Sequence, residues 1–550
     1  MASTKDETMK EATLSVLNKY TPQNPGNPGT VAGEILQECE SLIGIENSVR
    51  QAGHKWRTPE RLVPFQIAEV LLRVYYVAMI NVANGGGDGG DDEGYSLIGL
   101  YQTTGKNLGT YETSETELRK TARLYCPSMT KREFDEVMTI LKESAVRVQP
   151  CREPHLVPVN NGIFDYDTKQ LLEFSPDYVF LSKSRVDYNP NATNVVIHNP
   201  IDNTDWDVES WMNTLSDDPE VVKVLWQVLG AILRPNVPWN KSVWFYSESG
   251  NNGKGTLCEL MRQLVGHGNY ASISLADFGK DFMLEPLIHA QAVITDENDV
   301  GTYVDKAANL KAVVTGDAIN INRKFKVPLT YCFHGLVVQC LNEMPRIRDK
   351  SDSFYRRQLF IAFTKCFTGK ERKYIKQDYL HRQEVLEYVL YKVLNMNYYS
   401  FDVPGACENV LEEYKEFNDP VRQFMNEIMP QLKWDLVPFP FLYDLYGAWY
   451  KKNFPGRGEL KSSTVFVKDL LNLLSMYPEW VCDDKRKVRR PGQKMDAAEL
   501  LIAEYNLTDW MDPRYTASKD VEKRCHPLLK TGYNGIVRVG ISASSTTEEQ

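Results

Sequence analysis

The residues with the clearest chemistry are Ser-Glu-Ser-Gly-Asn-Asn-Gly-Lys-Gly-Thr at 247–256, directly after the apolar run Val243 to Tyr246. A buried strand feeding a glycine-rich turn that ends in lysine is the pattern of a phosphate-cradling loop. Gly250, Asn251, Asn252, Gly253 and Gly255 let successive backbone N–H groups face a polyphosphate, and Lys254 reaches its β- and γ-phosphates. The helix expected over Leu257 to Val265 adds its positive N-terminal end. Glu248 stands where such a loop normally has its first glycine, and Gly255 pushes the Mg²⁺-binding hydroxyl one step on, to Thr256. A Gly-Asn turn between two strands could produce the same stretch. The neighbouring motifs favour a nucleoside triphosphate.

Ala290 to Glu297 reads as a short apolar strand closed by two acids. Asp296 is assigned to Mg²⁺ and Glu297 to the attacking water. A further strand, Gly335 to Leu341, ends at Asn342, a side chain placed to sense the γ-phosphate. Arg356 and Arg357 precede another apolar strand and suit a finger that reaches the transferring phosphoryl group of a neighbouring subunit. Arg323, Lys324, Phe325 and Lys326 form a basic turn between the strand-like runs 318–322 and 327–333. Cations there hold a phosphodiester backbone, and the aromatic stacks on a base without reading sequence.

In this order the motifs make Lys241 to Phe363 similar to a superfamily 3 helicase. More narrowly, the block resembles the phage and plasmid primase–helicase group related to the poxvirus primase–helicase. That group's loop, G-x-G-x-N-G-K-[GS]-T, is matched by Gly250, Asn252, Gly253, Lys254, Gly255 and Thr256 and departs at Glu248. Leu310 to Asp317 resembles the group's L-K-x-L-T-G-G-D block, with Thr315 at its first glycine. Asn342 to Pro345 and Phe354 to Arg357 correspond to its sensor and arginine-finger motifs, and 322–326 falls where papillomavirus-type relatives carry a DNA-gripping hairpin. Upstream, Asn161–Asp165, Ser175–Tyr178 and Asp187–Ala192 resemble the domain that precedes the helicase. The resemblance implies an α/β P-loop NTPase core of AAA+ type, ATP and Mg²⁺ as cofactors, and a hexameric ring with ATP between subunits. It also implies 3′→5′ movement on single-stranded or forked DNA; a separate primase is a candidate partner beside it.

The elements around these motifs set the expected domains. Residues 1–83 read as helical, 84–94 as an acidic glycine-rich linker, 95–205 as an α+β domain, and 206–400 as the ATPase. Residues 410–500 read as a winged helix. Its helices are Pro420–Leu432, one carrying Phe441 to Trp449, and Val465–Leu473, with Ser462, Ser463 and Thr464 as candidate caps. A strand, a basic turn (Lys485, Arg486, Lys487, Arg489, Arg490) and a second strand make the wing. A solvated basic loop is the plainer reading of that run. Residues 501–550 form a small unit with a polar tail. Asp165-Tyr166-Asp167 could present two metal-binding carboxylates, but the flanking Asn-Gly and Thr-Lys favour a hairpin turn.

The net charge of −10 leaves nucleic-acid binding to local basic clusters. Ten cysteines without a C-x-x-C pair and eight scattered histidines point away from a disulfide framework or a zinc site, and towards the cytoplasm, here that of a bacterial host. The apolar helix expected over Ile67 to Val82 carries Glu69, Arg73 and Asn81, so it reads as buried in protein and no membrane partner is expected. The combined expectation is a replicative DNA helicase of a phage, plasmid or other mobile element. Two alternatives stand beside it: an origin-binding ATPase that marks or melts duplex DNA without processive unwinding, and a small-molecule P-loop kinase.

Overall fold

The computed structural model describes residues 4–82, 95–324, 327–454 and 460–539. The chain divides into two compact units, residues 1–411 and 412–550. The expected linker 84–94, Phe325, Lys326 and the expected tail lie outside the described residues.

The first unit begins with helices α1 (Lys5–Leu17), α2 (Pro28–Ser48) and α3 (Pro64–Val74). Thr4 and Glu7 form a reciprocal capping box on α1, and Asn27 caps α2 ahead of Pro28. The sequence expectation of a helix from Ile67 to Val82 is corrected. The helix stops at Val74, Tyr75 is extended (φ −131°, ψ 160°), and Val77–Asn81 is strand β1. The run Val74 to Val77 is aromatic and β-branched, which fits a pleated surface better than a helix. Strands β2 (Ser96–Tyr101) and β3 (Tyr111–Glu112), helices α4 (Glu115–Arg123) and α5 (Lys131–Ser144), and strand β4 (Val146–Val148) follow. The sheet order is β3-β2-β1-β4, with β2 antiparallel and β4 parallel to β1. Met9, Ile35, Val70, Leu100 and Phe134 share one core. The boundary expected near residue 84 therefore separates strands of one sheet, which hydrogen bonding between β1 and β2 holds together.

Strands β5 (Leu156–Val159), β6 (Gly162–Asp165) and β7 (Gln170–Leu172) form an antiparallel meander. A short hairpin of β8 (Ile197–Asn199) and β9 (Thr204–Trp206) leads to helices α6 (Val208–Thr214) and α7 (Pro219–Ala231). Arg234, just past α7, is 1 % exposed. It lies 3.4 Å from the Tyr166 ring centroid and donates to the Tyr398 carbonyl at 2.8 Å. A buried guanidinium stacked on aromatics thus ties the meander to the large core.

The centre of this unit is a five-stranded parallel sheet. It is built from β10 (Ser242–Tyr246), β11 (Tyr270–Ala271), β12 (Ala292–Thr295), β16 (Leu336–Leu341) and β18 (Gln358–Ala362). Between them lie β13 (Tyr303–Val304), the hairpin of β14 (Ala318–Ile321) and β15 (Leu329–Cys332), and β17 (Arg346–Ile347). The sheet order is β11-β12-β16-β10-β18. The central strands read as unbroken apolar runs because both faces are covered. Helix α8 (Lys254–Val265) packs on one face, its Leu257, Leu260, Met261 and Leu264 entirely buried.

In the second unit, helices Pro420–Ile428, Phe439–Asn453 and Ser463–Leu473 enclose an aromatic core; the rings of Tyr446 and Phe466 stack 4.7 Å apart. Its sheet holds β19 (Leu436–Pro438), β20 (Trp480–Val481) and β21 (Gly535–Arg538) in the order β19-β21-β20, all antiparallel. This corrects the expected boundary at residue 500. The strand that pairs with β20 is not the segment after the basic turn but residues 535–538. Met495, Ile502, Cys525 and Ile536 join Phe424 and Trp434 in one core. Glu499 is fully buried and accepts from the backbone N–H groups of Lys433 (2.7 Å) and Trp434 (3.2 Å), which binds the intervening segment to the stretch that leads into β19.

Candidate active site

Strand β10 delivers the chain into the loop 247–253, and the helix starts at Lys254 itself. Gly253 is the residue before that helix, with φ 91°, a left-handed conformation that glycine adopts freely. Asn252 braces the turn by donating to the Ser249 carbonyl, while its side-chain oxygen accepts from the Lys254 N–H at 3.3 Å. The Lys254 ammonium donates to the Leu341 carbonyl and to Asn342 Oδ1, both at 2.9 Å, and to the Ser247 carbonyl at 3.4 Å. Lys254 is buried, and that burial pushes its ammonium below the ordinary lysine range. The tips of β10 and β16 therefore meet at one cation.

Asp296 follows β12 on the same edge of the sheet. A Cβ placed on Gly255 would lie 3.2 Å from Asp296 Oδ1, so the absence of a side chain lets the carboxylate sit against the first turn of α8. Arg262, two turns along α8, donates to the other carboxylate oxygen at 3.2 Å. Glu297 is exposed. Asn298 is buried: it accepts from the Leu275 N–H at 2.8 Å and donates to Gln339 Oε1 and the Cys340 carbonyl, each at 3.0 Å. It fixes where the acidic turn leaves the sheet. The oxygen donors of Thr256 and Asp296 near the helix start suit Mg²⁺, which takes oxygen ligands.

The sheet does not bring the arginines here. Arg356 and Arg357 precede β18, whose first residue, Gln358, is level with Ser242 at the start of β10. They stand at the opposite end of the strands from Lys254. Arg356 is exposed, whereas Arg357 donates to the Ser353 carbonyl and is half-buried. The basic hairpin also springs from that end, since β15 runs into the start of β16. Arg323 donates to the Val327 carbonyl at 3.0 Å and lies 4.5 Å over the Tyr95 ring, while Lys324 is exposed.

Beside the loop lies a cleft of about 640 Å³. One wall is 205–214, with Trp206 and Trp211; the other is 367–376, with Phe367, Lys370, Arg372, Lys373 and Lys376; Asn251 to Thr256 lie between. The Phe367 N–H donates to the Asn251 carbonyl at 2.7 Å, and Asn251 Nδ2 donates to Glu371 at 3.0 Å, so the second wall is tied to the loop. The sequence reading passed over both walls. The run Lys370-Glu-Arg-Lys-Tyr-Ile-Lys376 after a buried strand was the available signal. Asp165 and Asp167 stand apart from this cleft: Asp165 accepts from the backbone of Asp167 (3.0 Å) and Thr168 (3.2 Å) in the β6–β7 turn, and Asp167 accepts from Tyr399.

In the second unit Lys485, Arg486, Lys487 and Arg490 are exposed. Arg489 is spent on structure: its backbone pairs with Tyr533 in both directions at 2.9 Å, and its side chain lies 3.4 Å from Asp483.

Three family models match the chain in succession. D5 N terminal like matches residues 38–217, a family of unknown function (DUF5906) matches 245–357, and Poxvirus D5 protein-like matches 416–510. No curated protein matches it. Among solved structures, the A form apo structure of the NrS-1 C terminal region is 14 % identical, with 72 % of this chain and 84 % of that one covered and a TM-score of 0.39. An apo structure of NrS-1 residues 305–718 is 13 % identical, with 79 % and 98 % covered and a TM-score of 0.42.

Proposed function

The chain belongs to the phage and poxvirus D5-type primase–helicase family, and on that premise we propose that it is an ATP-dependent DNA helicase in the replication of a phage, plasmid or other mobile element. One observation carries the reading: Lys254 bridges the Leu341 carbonyl and Asn342 at the top of a parallel sheet, with Asp296 against Gly255 of the same helix start. In this reading the core is a P-loop NTPase of AAA+ type. The base and ribose of ATP lie in the cleft between 205–214 and 367–376, and the triphosphate lies along 250–256. Lys254 exchanges its carbonyl partners for phosphate oxygens, and Asn342, freed from it, faces the γ-phosphate. Thr256 and Asp296 would hold Mg²⁺, which neutralises phosphate charge when bound. Glu297, exposed beside them, orients and deprotonates the attacking water.

The position of the arginines supports shared sites. Standing at the far end of β18, Arg356 reaches phosphate only across a subunit boundary, as a ring of copies provides; six copies is the expected number. The hairpin at 322–326 grips one DNA strand and moves with hydrolysis, and a separate primase is a candidate partner. We read 412–539 as a winged helix in which Ser463–Leu473 enters the major groove and Lys485, Arg486, Lys487 and Arg490 meet phosphates. The test is ATP-dependent strand displacement on a forked duplex, wild type beside Lys254→Ala. Displacement by wild type alone supports the helicase. Hydrolysis without displacement on any fork replaces it with an origin-binding ATPase.

A further inference from the structure

Behind the phosphate loop two sulfurs and a carboxylate converge. Cys258 is on α8, two residues after Thr256, and Cys340 is on β16, two residues before Asn342. Their Sγ atoms are 3.3 Å apart. With a carboxylate oxygen of Asp296 they make a set of donor atoms that all lie within 4.8 Å of one another. Both cysteines are buried, at 0 % and 1 % exposure.

We propose that Cys258, Cys340 and Asp296 form a site for a thiophilic divalent cation of the Zn²⁺ class, whose occupancy withdraws Asp296 from Mg²⁺ and so inhibits hydrolysis. The inhibition rests on the nucleotide reading above; the binding does not. With metal–sulfur bonds of about 2.3 Å in a tetrahedral site, two thiolates stand roughly 3.8 Å apart, so the pair needs to open by only about half an ångström. A disulfide would need closure to about 2.05 Å, a larger movement between a packed helix and a central strand. Arg262 donates to Oδ2 of Asp296 at 3.2 Å, and a carboxylate has acceptor positions enough to take an ion as well. Two S–H bonds break, two metal–sulfur bonds form, and two protons pass to solvent, with no change in oxidation state. Exchanging two protons for one dication leaves the charge of this buried place unchanged, which avoids the large cost of burying a net ion. Thiolate ligands select against Mg²⁺, so the nucleotide's own metal does not fill the site. Three protein ligands leave a fourth position for water.

The full chain, reduced and free of Mg²⁺ and nucleotide, is titrated with Cd²⁺ while the ultraviolet sulfur-to-cadmium charge-transfer band is followed. One equivalent is expected to give the band. Cys258→Ser or Cys340→Ser is expected to weaken binding on the order of tenfold or more, and the exposed Cys366→Ser to leave it unchanged. Cys340→Ala, which buries no hydroxyl, guards against a misfolded serine variant. Micromolar-range Zn²⁺ should then inhibit Mg²⁺-dependent hydrolysis by wild type, with reversal by a chelator, while both serine variants hydrolyse normally and resist. No cysteine-dependent band, or isolation of a Cys258–Cys340 disulfide in place of the metal complex, overturns the site. A band without inhibition in an active enzyme overturns the competition for Asp296. A wild type that hydrolyses no ATP condemns the nucleotide reading instead, and the Cd²⁺ titration still decides the site.

Discussion

The five-stranded sheet of the first unit and the three-stranded sheet of the second are assembled in opposite ways. In the parallel sheet each strand is a short continuous run, and the residue assigned to the candidate site follows it directly: Lys254 after the β10 loop, Asp296 after β12, Asn342 after β16. Parallel pairing puts all strand ends on one edge, so a motif's place in the sequence fixes its place in space. In the second unit the middle strand, β21, comes from residues 535–538, long after its partner β20. Local order there says little about what pairs with what. The same difference separates the charges: the cations beside the cleft line one pocket, whereas Arg489 is drawn into holding β20's neighbourhood together.

Truncating the chain after residue 500 probes that contrast most severely. It removes β21 along with Cys525 and Ile536, and we expect residues 412–500 to lose cooperative folding, a cost above about 5 kcal/mol, while the first unit keeps its own thermal transition. Two unchanged transitions by calorimetry would show that the first five hundred residues suffice. Lys254→Ala strikes the other sheet. Hydrolysis should fall on the order of 1000-fold as measured by phosphate release, with no drop in melting temperature, since a buried cation has been removed. Arg356→Ala should cost about 100-fold in turnover with nucleotide affinity unchanged. Mixing it with Glu297→Gln subunits should restore part of the activity, because each variant then completes the other's site. If no mixing ratio restores activity, the arginine does not act between subunits.

The smallest effect concerns Glu499. Burial pushes its carboxyl above the ordinary range, against the backbone donors of Lys433 and Trp434 that favour the anion. Because the folded unit holds this proton more tightly than the unfolded chain, stability is greatest below the ordinary glutamate value. It falls as pH rises from there to the raised folded value. Glu499→Gln should flatten that slope and raise neutral-pH stability by about 1 kcal/mol, read from denaturant midpoints between pH 4 and 8. A variant less stable at neutral pH would mean that the anion's two hydrogen bonds outweigh its burial.

How far the sequence could be read varies along the chain. The loop, the acidic strand end and Asn342 were legible because each combines an apolar run with a chemically distinctive end. The Asp165 turn was legible from its polar Asp-Tyr-Asp-Thr-Lys run between apolar pairs, while Asn-Gly marks the preceding β5–β6 turn. The helix expected over Ile67 to Val82 failed because short apolar runs look alike to helix and strand, and only pairing with β2 and β4 separates them. Both walls of the cleft were missed: they lie on either side of the 247–253 loop in sequence and meet only in the fold.

The amino-acid sequence by itself determined the order in which the Lys254 loop, Asp296 and Asn342 follow their strands, since this depends on residue type and on spacing within single elements. Tertiary structure alone decided that Lys254 rests on Asn342, that Arg356 stands at the opposite end of the sheet, and that Cys258 meets Cys340. It also decided that residues 535–538 complete the second unit's sheet. The reason is physical: such contacts are fixed by strand pairing and by the burial of apolar faces between segments distant in the chain, and no local periodicity records which distant segment will supply the partner.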